Sequence, residues 1–239
     1  MTKRKIFEFG GYVAAAVLVA FGIASLVMGM NGRDTVNSSL KAEQIVGTPD
    51  MTPKAIAGEV AAAKAAQTKL FTALNGAGVK LTPSEIVTPN CSVAGKTIAD
   101  GSDARCFAKF MRIHTYGATS GLTYSQMGRY IAKPDTPLKD TDGLGATSDP
   151  TKAVTDPKTK QPVSNGRRDI WVTYTALTTA LNTSYMASQL SVFAVVVGAA
   201  FLLAGFGFAI LAFSVFRLPA LVEKTKKAAA PAPETLQAT

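Results

Sequence analysis

Two long segments without a charged residue constrain this chain more than any other feature of its sequence. The first comprises residues 10–30; the second, residues 190–216, is the apolar end of an uncharged stretch that begins at residue 170. About 20 apolar residues in an α-helix cross the roughly 30 Å hydrocarbon core of a bilayer. We therefore expect two transmembrane helices. This excludes a simple soluble enzyme, and two helices alone cannot enclose the path of a transporter.

The first apolar segment follows a short basic stretch, Lys3 to Lys5, as both signal peptides and membrane anchors do. A cleavable signal has an apolar core of about 7–15 residues and a site of small residues after it. This segment is longer, and its end, LVMGM at residues 26–30, offers no such site. The sequence therefore predicts an uncleaved anchor.

The distribution of basic residues predicts the orientation, because cytoplasmic flanks of membrane helices are enriched in Lys and Arg. Such residues flank the distal ends of both segments, whereas only Arg33 and Lys41 lie close to the membrane on the other side. The orienting residues are Lys3, Arg4, Lys5, Arg217, Lys224, Lys226 and Lys227. We expect a plasma-membrane protein whose two ends are cytoplasmic. The N-terminal segment, residues 1–9, is basic, and the C-terminal segment, residues 217–239, is basic at first and then rich in Ala and Pro. The net charge of +9 then indicates lipid headgroups rather than nucleic acid.

Residues 31–189 form the predicted extracytoplasmic region, and apolar periodicity predicts that it is helical. The first helix continues to about Ile45. A second helix starts at Thr52 and Pro53, an N-cap and a first-turn proline, and ends at Asn75-Gly76. Its apolar face repeats at intervals of four and three residues, as in a helix. That face comprises Ile56, Val60, Ala63, Gln67, Leu70 and Leu74.

Three more helices and one irregular loop follow, and together they predict a helical bundle flanked by the two membrane helices. Ser102 is expected to cap a helix through His114 whose apolar face is Cys106, Phe110 and Ile113. Thr123 and Gln126 match a capping box for a short helix containing Met127, Tyr130 and Ile131. The irregular loop 133–165 is expected to be mobile or loosely packed. The last helix runs into the second span as a rod of about 45 residues, with a stripe of Ile170, Tyr174, Leu177, Leu181 and Tyr185.

Cys91 and Cys106, the only cysteines, are expected to form a disulfide. The outer face of the membrane is oxidising, and two cysteines in such a domain usually pair. A closed loop of about 16 residues stabilises the fold by about 3 kcal/mol in the chain-entropy model. A redox-active pair is the alternative, although the Cys-x-x-Cys spacing is absent.

The sequence predicts no metal site and no cofactor. A facial-triad iron centre needs two histidines and a carboxylate, and His114 is the only histidine; we expect it to be an ordinary helix residue. Asp140, Asp142 and Gly143 begin like a calcium loop, which then requires an oxygen ligand, a glycine and a glutamate at positions five, six and twelve. Gly145 supplies the glycine, but Leu144 and Thr151 occupy the other two positions. The other aspartates of this loop are Asp135, Asp149 and Asp156.

Small residues recur every four positions in both spans, a pattern that lets membrane helices approach closely. The predicted packing residues are Ala16, Ala20, Ala24, Gly198, Ala200, Ala204 and Gly205. One pair of stripes could join the two spans and the rest could meet another membrane protein; alternatively, these residues are simply frequent in membrane helices. Neither span contains an ionisable residue, which argues against an intramembrane proton or ion relay.

Several segments resemble a group of actinobacterial two-span membrane proteins that are often named as an aromatic ring-opening dioxygenase chain. The resemblance runs from the first span to the second and rests on 43–53 (EQIVGTPDMTP), 91–96 (CSVAGK), 104–108 (ARCFA), 111–114 (MRIH), 123–128 (TYSQMG) and 175–185 (TALTTALNTSY). It implies an actinobacterial envelope protein. The enzymatic name does not fit these residues, because they include one histidine and no iron-binding triad.

We therefore expect a non-catalytic, membrane-anchored envelope protein that acts as an accessory or structural subunit of a larger membrane complex. Its expected partners are the lipid bilayer and another membrane protein or a second copy of the chain. The alternatives are an extracytoplasmic binding or sensing module and, third, a component of a dioxygenase-related enzyme.

Overall fold

A computed structural model describes residues 3–228 of the chain and shows a mainly α-helical protein. Its helices are α1 (Lys3–Ala42), α2 (Pro53–Gly76), α3 (Gly101–Ala118), α4 (Gly166–Leu211) and α5 (Leu218–Ala228). A π-helical segment, Ala212–Arg217, joins α4 to α5, and two short strands, β1 (Tyr130–Ile131) and β2 (Ala146–Thr147), pair antiparallel. The predicted Ala/Pro-rich tail after residue 228 lies outside the described residues.

The chain divides into two compact units, one made of the residues up to Asp34 and from Gln189 onward, the other of Thr35–Ser188. Two helical segments, Lys5–Ala42 and Gly166–Val215, are long and apolar enough to cross a membrane by length and composition. This agrees with the prediction of two apolar helices. The prediction of one long final helix is also confirmed, because α4 has 46 residues.

In the first unit, α1 and α4 pack through small residues spaced seven apart. The buried positions are Ala15, Gly22 and Gly29 on α1, Ser191, Gly198 and Gly205 on α4, and Ala212 at the start of the π-helical segment. A Cβ atom added to Gly22 would lie 2.9 Å from the carbonyl oxygen of Gly198. Seven residues make about two helical turns, so each series lies on one face, where glycine permits close backbone approach.

The predicted packing residues divide between this contact and the rest of the helix surfaces. Gly198 and Gly205 lie in the contact between α1 and α4. The others are exposed on the single chain: Ala16, Ala20 and Ala24 on α1, and Ala200 and Ala204 on α4. The sequence analysis read the α1 stripe at four-residue intervals and did not consider the seven-residue series of Ala15, Gly22 and Gly29.

In the second unit, α2 begins and ends where the sequence predicts, and all six positions of its predicted apolar face are buried. The Thr52 hydroxyl accepts a hydrogen bond from the Ala55 amide, as an N-cap does. Helix α3 buries Cys106, Phe110 and Ile113, as predicted. The predicted cap, Ser102, is wrong: Asp100 caps α3 because its carboxylate accepts from two amides of the first turn.

Trp171, rather than Ile170, anchors the start of α4 in the core of the second unit. Its side chain is 7% exposed, whereas that of Ile170 is 39% exposed. The indole N–H donates to the carbonyl of Leu122 at 2.9 Å, and the ring packs edge-on against Tyr116 and Tyr174. The buried stripe of α4 therefore begins at Trp171, one residue later than predicted.

The predicted short helix after Thr123 is absent, although the hydrogen bond of its predicted capping box forms. The Thr123 amide donates to the Gln126 side chain as in a capping box, but only a turn forms. The chain then extends, and Tyr130 pairs with Thr147 across the two strands. Gly128 permits this pairing, because a Cβ atom there would lie 2.3 Å from the Thr147 amide nitrogen. Tertiary contact therefore prevails over the local helix signal.

The irregular loop 133–165 is better packed than expected. It contains two short 3₁₀ helices, Leu138–Asp140 and Pro150–Lys152, as well as strand β2. Ala146 and Ala153 are each 1% exposed, and the Asn165 side chain donates to the carbonyl of Gly128. The expectation of a loosely packed loop is wrong, because backbone and side-chain hydrogen bonds replace apolar periodicity as the source of order.

Candidate functional site

The predicted disulfide joins Cys91 to Cys106. It links the segment before α3 to the buried face of that helix, with the two Cα atoms 6.0 Å apart. Cys106 is 6% exposed and packs in the hydrophobic core. Cys91 is partly buried and packs against that core, so the disulfide joins two packed segments, as a structural disulfide does.

His114 lies between two carboxylates that the sequence analysis did not connect with it. Its Nδ1 atom is 3.0 Å from Glu59 on α2, and its Nε2 atom is 3.3 Å from Asp50 in the segment before α2. All three side chains are partly exposed. An imidazolium donates from both ring nitrogens, so this arrangement ties three parts of the second unit together.

The same three residues offer one ligand atom each within 4.8 Å of one another, as a divalent cation would need. The two carboxylates, however, lie beside opposite ring nitrogens, Glu59 at Nδ1 and Asp50 at Nε2. The arrangement fits an ionic clamp better than a three-ligand metal centre.

The position of each carboxylate in the clamp has a local cause. Glu59 faces Gly117, where a Cβ atom would lie 2.7 Å from the Glu59 carboxylate. A hydrogen bond from the Thr48 side chain, together with the charge of His114, holds the pKa of Asp50 below its usual value of 3.8. Asp50 therefore remains an anion at neutral pH, as the clamp requires.

Two aspartates of the loop 133–165 make hydrogen bonds or ion pairs within the fold. Asp142 is 4% exposed, and its carboxylate accepts hydrogen bonds from the amides of Gly128, Leu144 and Ala146. Asp140 forms an ion pair with Lys152 at 2.9 Å. The two aspartates that begin the calcium-like pattern therefore have roles in holding the loop together.

A groove of about 690 Å³ lies between α3 and the extended segment 84–90 of the second unit. One wall carries two cations of α3, Lys109 and Arg112, and the other carries Ser84, Thr88 and Asn90. Val87, Pro89 and Ile113 supply apolar surface. A volume between about 300 and 1,000 Å³ is typical of small-molecule sites.

Neither cation of the groove has a carboxylate partner among the described residues. The Lys109 ammonium donates to the Asn90 side chain at 3.3 Å, and the Arg112 guanidinium donates to the Tyr116 hydroxyl at 3.0 Å. The hydrogen bond to Tyr116 raises the pKa of Arg112 above its usual value. Both partners are neutral, so both positive charges stay uncompensated by direct contact.

Comparison with known proteins supplies no relative from which a role could be transferred. No family model matches the chain, and no curated protein or solved structure matches it. The functional argument therefore rests on the residues and their geometry.

Proposed function

We propose that this chain is a non-catalytic, two-span membrane protein that serves as an accessory or structural subunit of a larger membrane complex. One observation carries the proposal: the side chains best suited to chemistry hold the fold together. Both cysteines form the disulfide, the single histidine bridges two carboxylates, and Asp142 binds three backbone amides.

The proposed location is the plasma membrane, with both ends cytoplasmic and residues 31–189 on the outer face. The two apolar helical segments support membrane insertion by their length and composition. The basic residues at both ends favour cytoplasmic termini. The disulfide supports an oxidising compartment for the region between the spans.

The proposal of a partner rests on the small residues of α1 that do not pack against α4. One face of α1, with Gly22 and Gly29, packs on α4 of the same chain. Ala16, Ala20 and Ala24 lie outside this contact and keep a surface that admits close approach of another membrane helix. A second copy of the chain or a different membrane protein would fit that surface equally well.

The test is purification of the tagged full chain from native membranes in mild detergent, with identification and quantification of the proteins that accompany it. A membrane protein present in constant ratio over two chromatographic steps supports the accessory-subunit proposal. Recovery of the chain alone, or with itself only, contradicts it. A tagged, unrelated two-span protein extracted in parallel controls for nonspecific capture.

A second candidate function is an extracytoplasmic binding or sensing module. The observation that favours it is the groove between α3 and segment 84–90, with its two unpaired cations. The two proposals are compatible, because a subunit of a complex can also bind a ligand.

A further inference from the structure

We propose that the groove between α3 and segment 84–90 binds a small organic anion, a carboxylate or phosphate ester carried on an apolar body. Lys109 and Arg112 bind the anionic group, and Val87 with Ile113 contacts the apolar part. This inference deepens the binding-module candidate and does not depend on whether the chain assembles with a partner.

The positive charge of the groove is the first argument. Lys109 and Arg112 are three residues apart on α3, so they project from one side of the helix. Each cation contacts only a neutral group, the Asn90 amide oxygen or the Tyr116 hydroxyl. A guanidinium has five N–H donors, so one bond to a hydroxyl leaves most of the Arg112 donors for a ligand. Carboxylate and phosphate oxygens match this planar donor set.

The apolar surface of the groove is the second argument, and it restricts the class of anion. Val87 is 59% exposed, although it is a large aliphatic residue, and Ile113, itself 2% exposed, also lines the groove. An inorganic anion would leave this surface in water, whereas an aromatic or aliphatic group would bury it. The hydroxyls of Ser84 and Thr88 can donate to further oxygens of the ligand.

Glu85 provides a test that distinguishes an anion-binding site from a purely apolar one. This residue lines the same groove, and its negative charge offsets part of the positive charge of Lys109 and Arg112. Removing the Glu85 charge should therefore strengthen binding of an anion, while removing either cation should weaken it. The groove keeps a net positive charge from these three residues.

Trp171 provides a reporter for occupancy. It is the only tryptophan of the chain, and its ring packs edge-on against Tyr116 with the ring centroids 5.4 Å apart. Tyr116 lines the groove and accepts the hydrogen bond from Arg112. A ligand that draws Arg112 away from Tyr116 changes the surroundings of the indole, and its fluorescence should respond.

The test is a fluorescence titration of the purified full chain in mild detergent with phenyl phosphate. We expect a saturable change in Trp171 emission and weaker binding at high salt, because ions screen exposed charges. Arg112→Gln should weaken binding by about tenfold or more, the worth of a charged hydrogen bond. Arg112→Lys should bind with an affinity between those of the parent chain and Arg112→Gln, because it keeps the charge and loses the planar donors.

The charge series completes the test with a matched control. Lys109→Gln should weaken binding and Glu85→Gln should strengthen it. Lys64→Gln should leave it nearly unchanged, because Lys64 is an exposed cation of α2 that does not line this groove. Each variant is first shown to keep the disulfide and the helical circular dichroism of the parent chain.

Four results would overturn the proposal. The first is no saturable response to phenyl phosphate. The second is equal weakening by Lys64→Gln and Arg112→Gln, which would indicate a general charge effect. The third is binding of phenol as tight as that of phenyl phosphate, which would indicate an apolar site. A response to short-chain phosphatidylglycerol alone would likewise reject a free small molecule and assign the groove to lipid.

Discussion

Replacement of Trp171 tests the packing of the second unit most severely. The indole is 7% exposed, its N–H donates to the Leu122 carbonyl, and its ring packs against Tyr116 and Tyr174. Trp171→Ala removes all three contacts and leaves a cavity. Changes of this kind cost about 3–5 kcal/mol, and we expect a loss in the free energy of unfolding within that range.

Trp171→Phe separates the ring from its hydrogen bond. Phenylalanine keeps an aromatic ring in the site but cannot donate to Leu122. The Thr119 hydroxyl already lies 2.8 Å from the same carbonyl and can satisfy it. We therefore expect a cost of only about 1 kcal/mol for the lost bond, with a further contribution from the smaller ring.

A double substitution tests that explanation. Thr119→Val removes the alternative donor, so the combination with Trp171→Phe leaves the buried Leu122 carbonyl without either side-chain partner. An unpaired buried carbonyl costs about 1–3 kcal/mol. The double variant should therefore lose more stability than the sum of the two single variants.

The assay is pulse proteolysis of the full chain across a urea series in mild detergent, which measures the folded fraction without using tryptophan emission. Val172→Ala serves as the control, because Val172 is adjacent on α4 and 54% exposed. A Trp171→Ala variant as stable as Val172→Ala would refute the assignment of Trp171 to the core. Additivity in the double variant would refute the role of Thr119 as alternative donor.

Three further predictions concern the disulfide, the helix pair and pH. Replacing Cys91 and Cys106 together by Ser should lower the free energy of unfolding by about 3 kcal/mol in the same proteolysis assay; an unchanged midpoint would contradict this. Gly198→Leu should destabilise the helix pair by about 1–3 kcal/mol, seen as a lower aggregation temperature in detergent, whereas the exposed Ala200→Leu should not. The pKa of Asp50 lies below 3.8, so its stabilising contribution is complete above that pH and lost as pH falls through the folded value; Asp50→Asn should reduce the acid-induced loss of stability in an acid titration followed by circular dichroism.

The sequence predicts the long helices well because their signals are local. Helix α2 has an N-cap, a proline in its first turn and, at helical spacing, five apolar residues and Gln67, all of which the structure buries or places as predicted. The buried stripe of α4 is predicted to begin one residue early, at Ile170, because Ile170 and Trp171 are adjacent and both apolar. Periodicity alone cannot choose between such neighbours when the partner surface is unknown.

Features that depend on distant residues were not predictable. Glu59 and His114 are 55 positions apart and meet only because α2 and α3 pack together. The groove likewise combines cations of α3, which look like ordinary surface residues in sequence, with an extended segment that has no periodicity. The capping box at Thr123 and Gln126 forms its hydrogen bond, yet strand pairing of Tyr130 determines the backbone beyond it.

The location of residues 31–189 outside the membrane is the claim on which the proposed function most depends. Single cysteines at Lys139 and Lys224, both exposed, can be compared on intact cells with a membrane-impermeant maleimide. The native cysteines are paired with each other and should not react. The account predicts labelling of Lys139→Cys in intact cells and of Lys224→Cys only after the cells are broken. Labelling of Lys224→Cys alone in intact cells would contradict the proposed orientation and place the disulfide-linked unit in the cytoplasm.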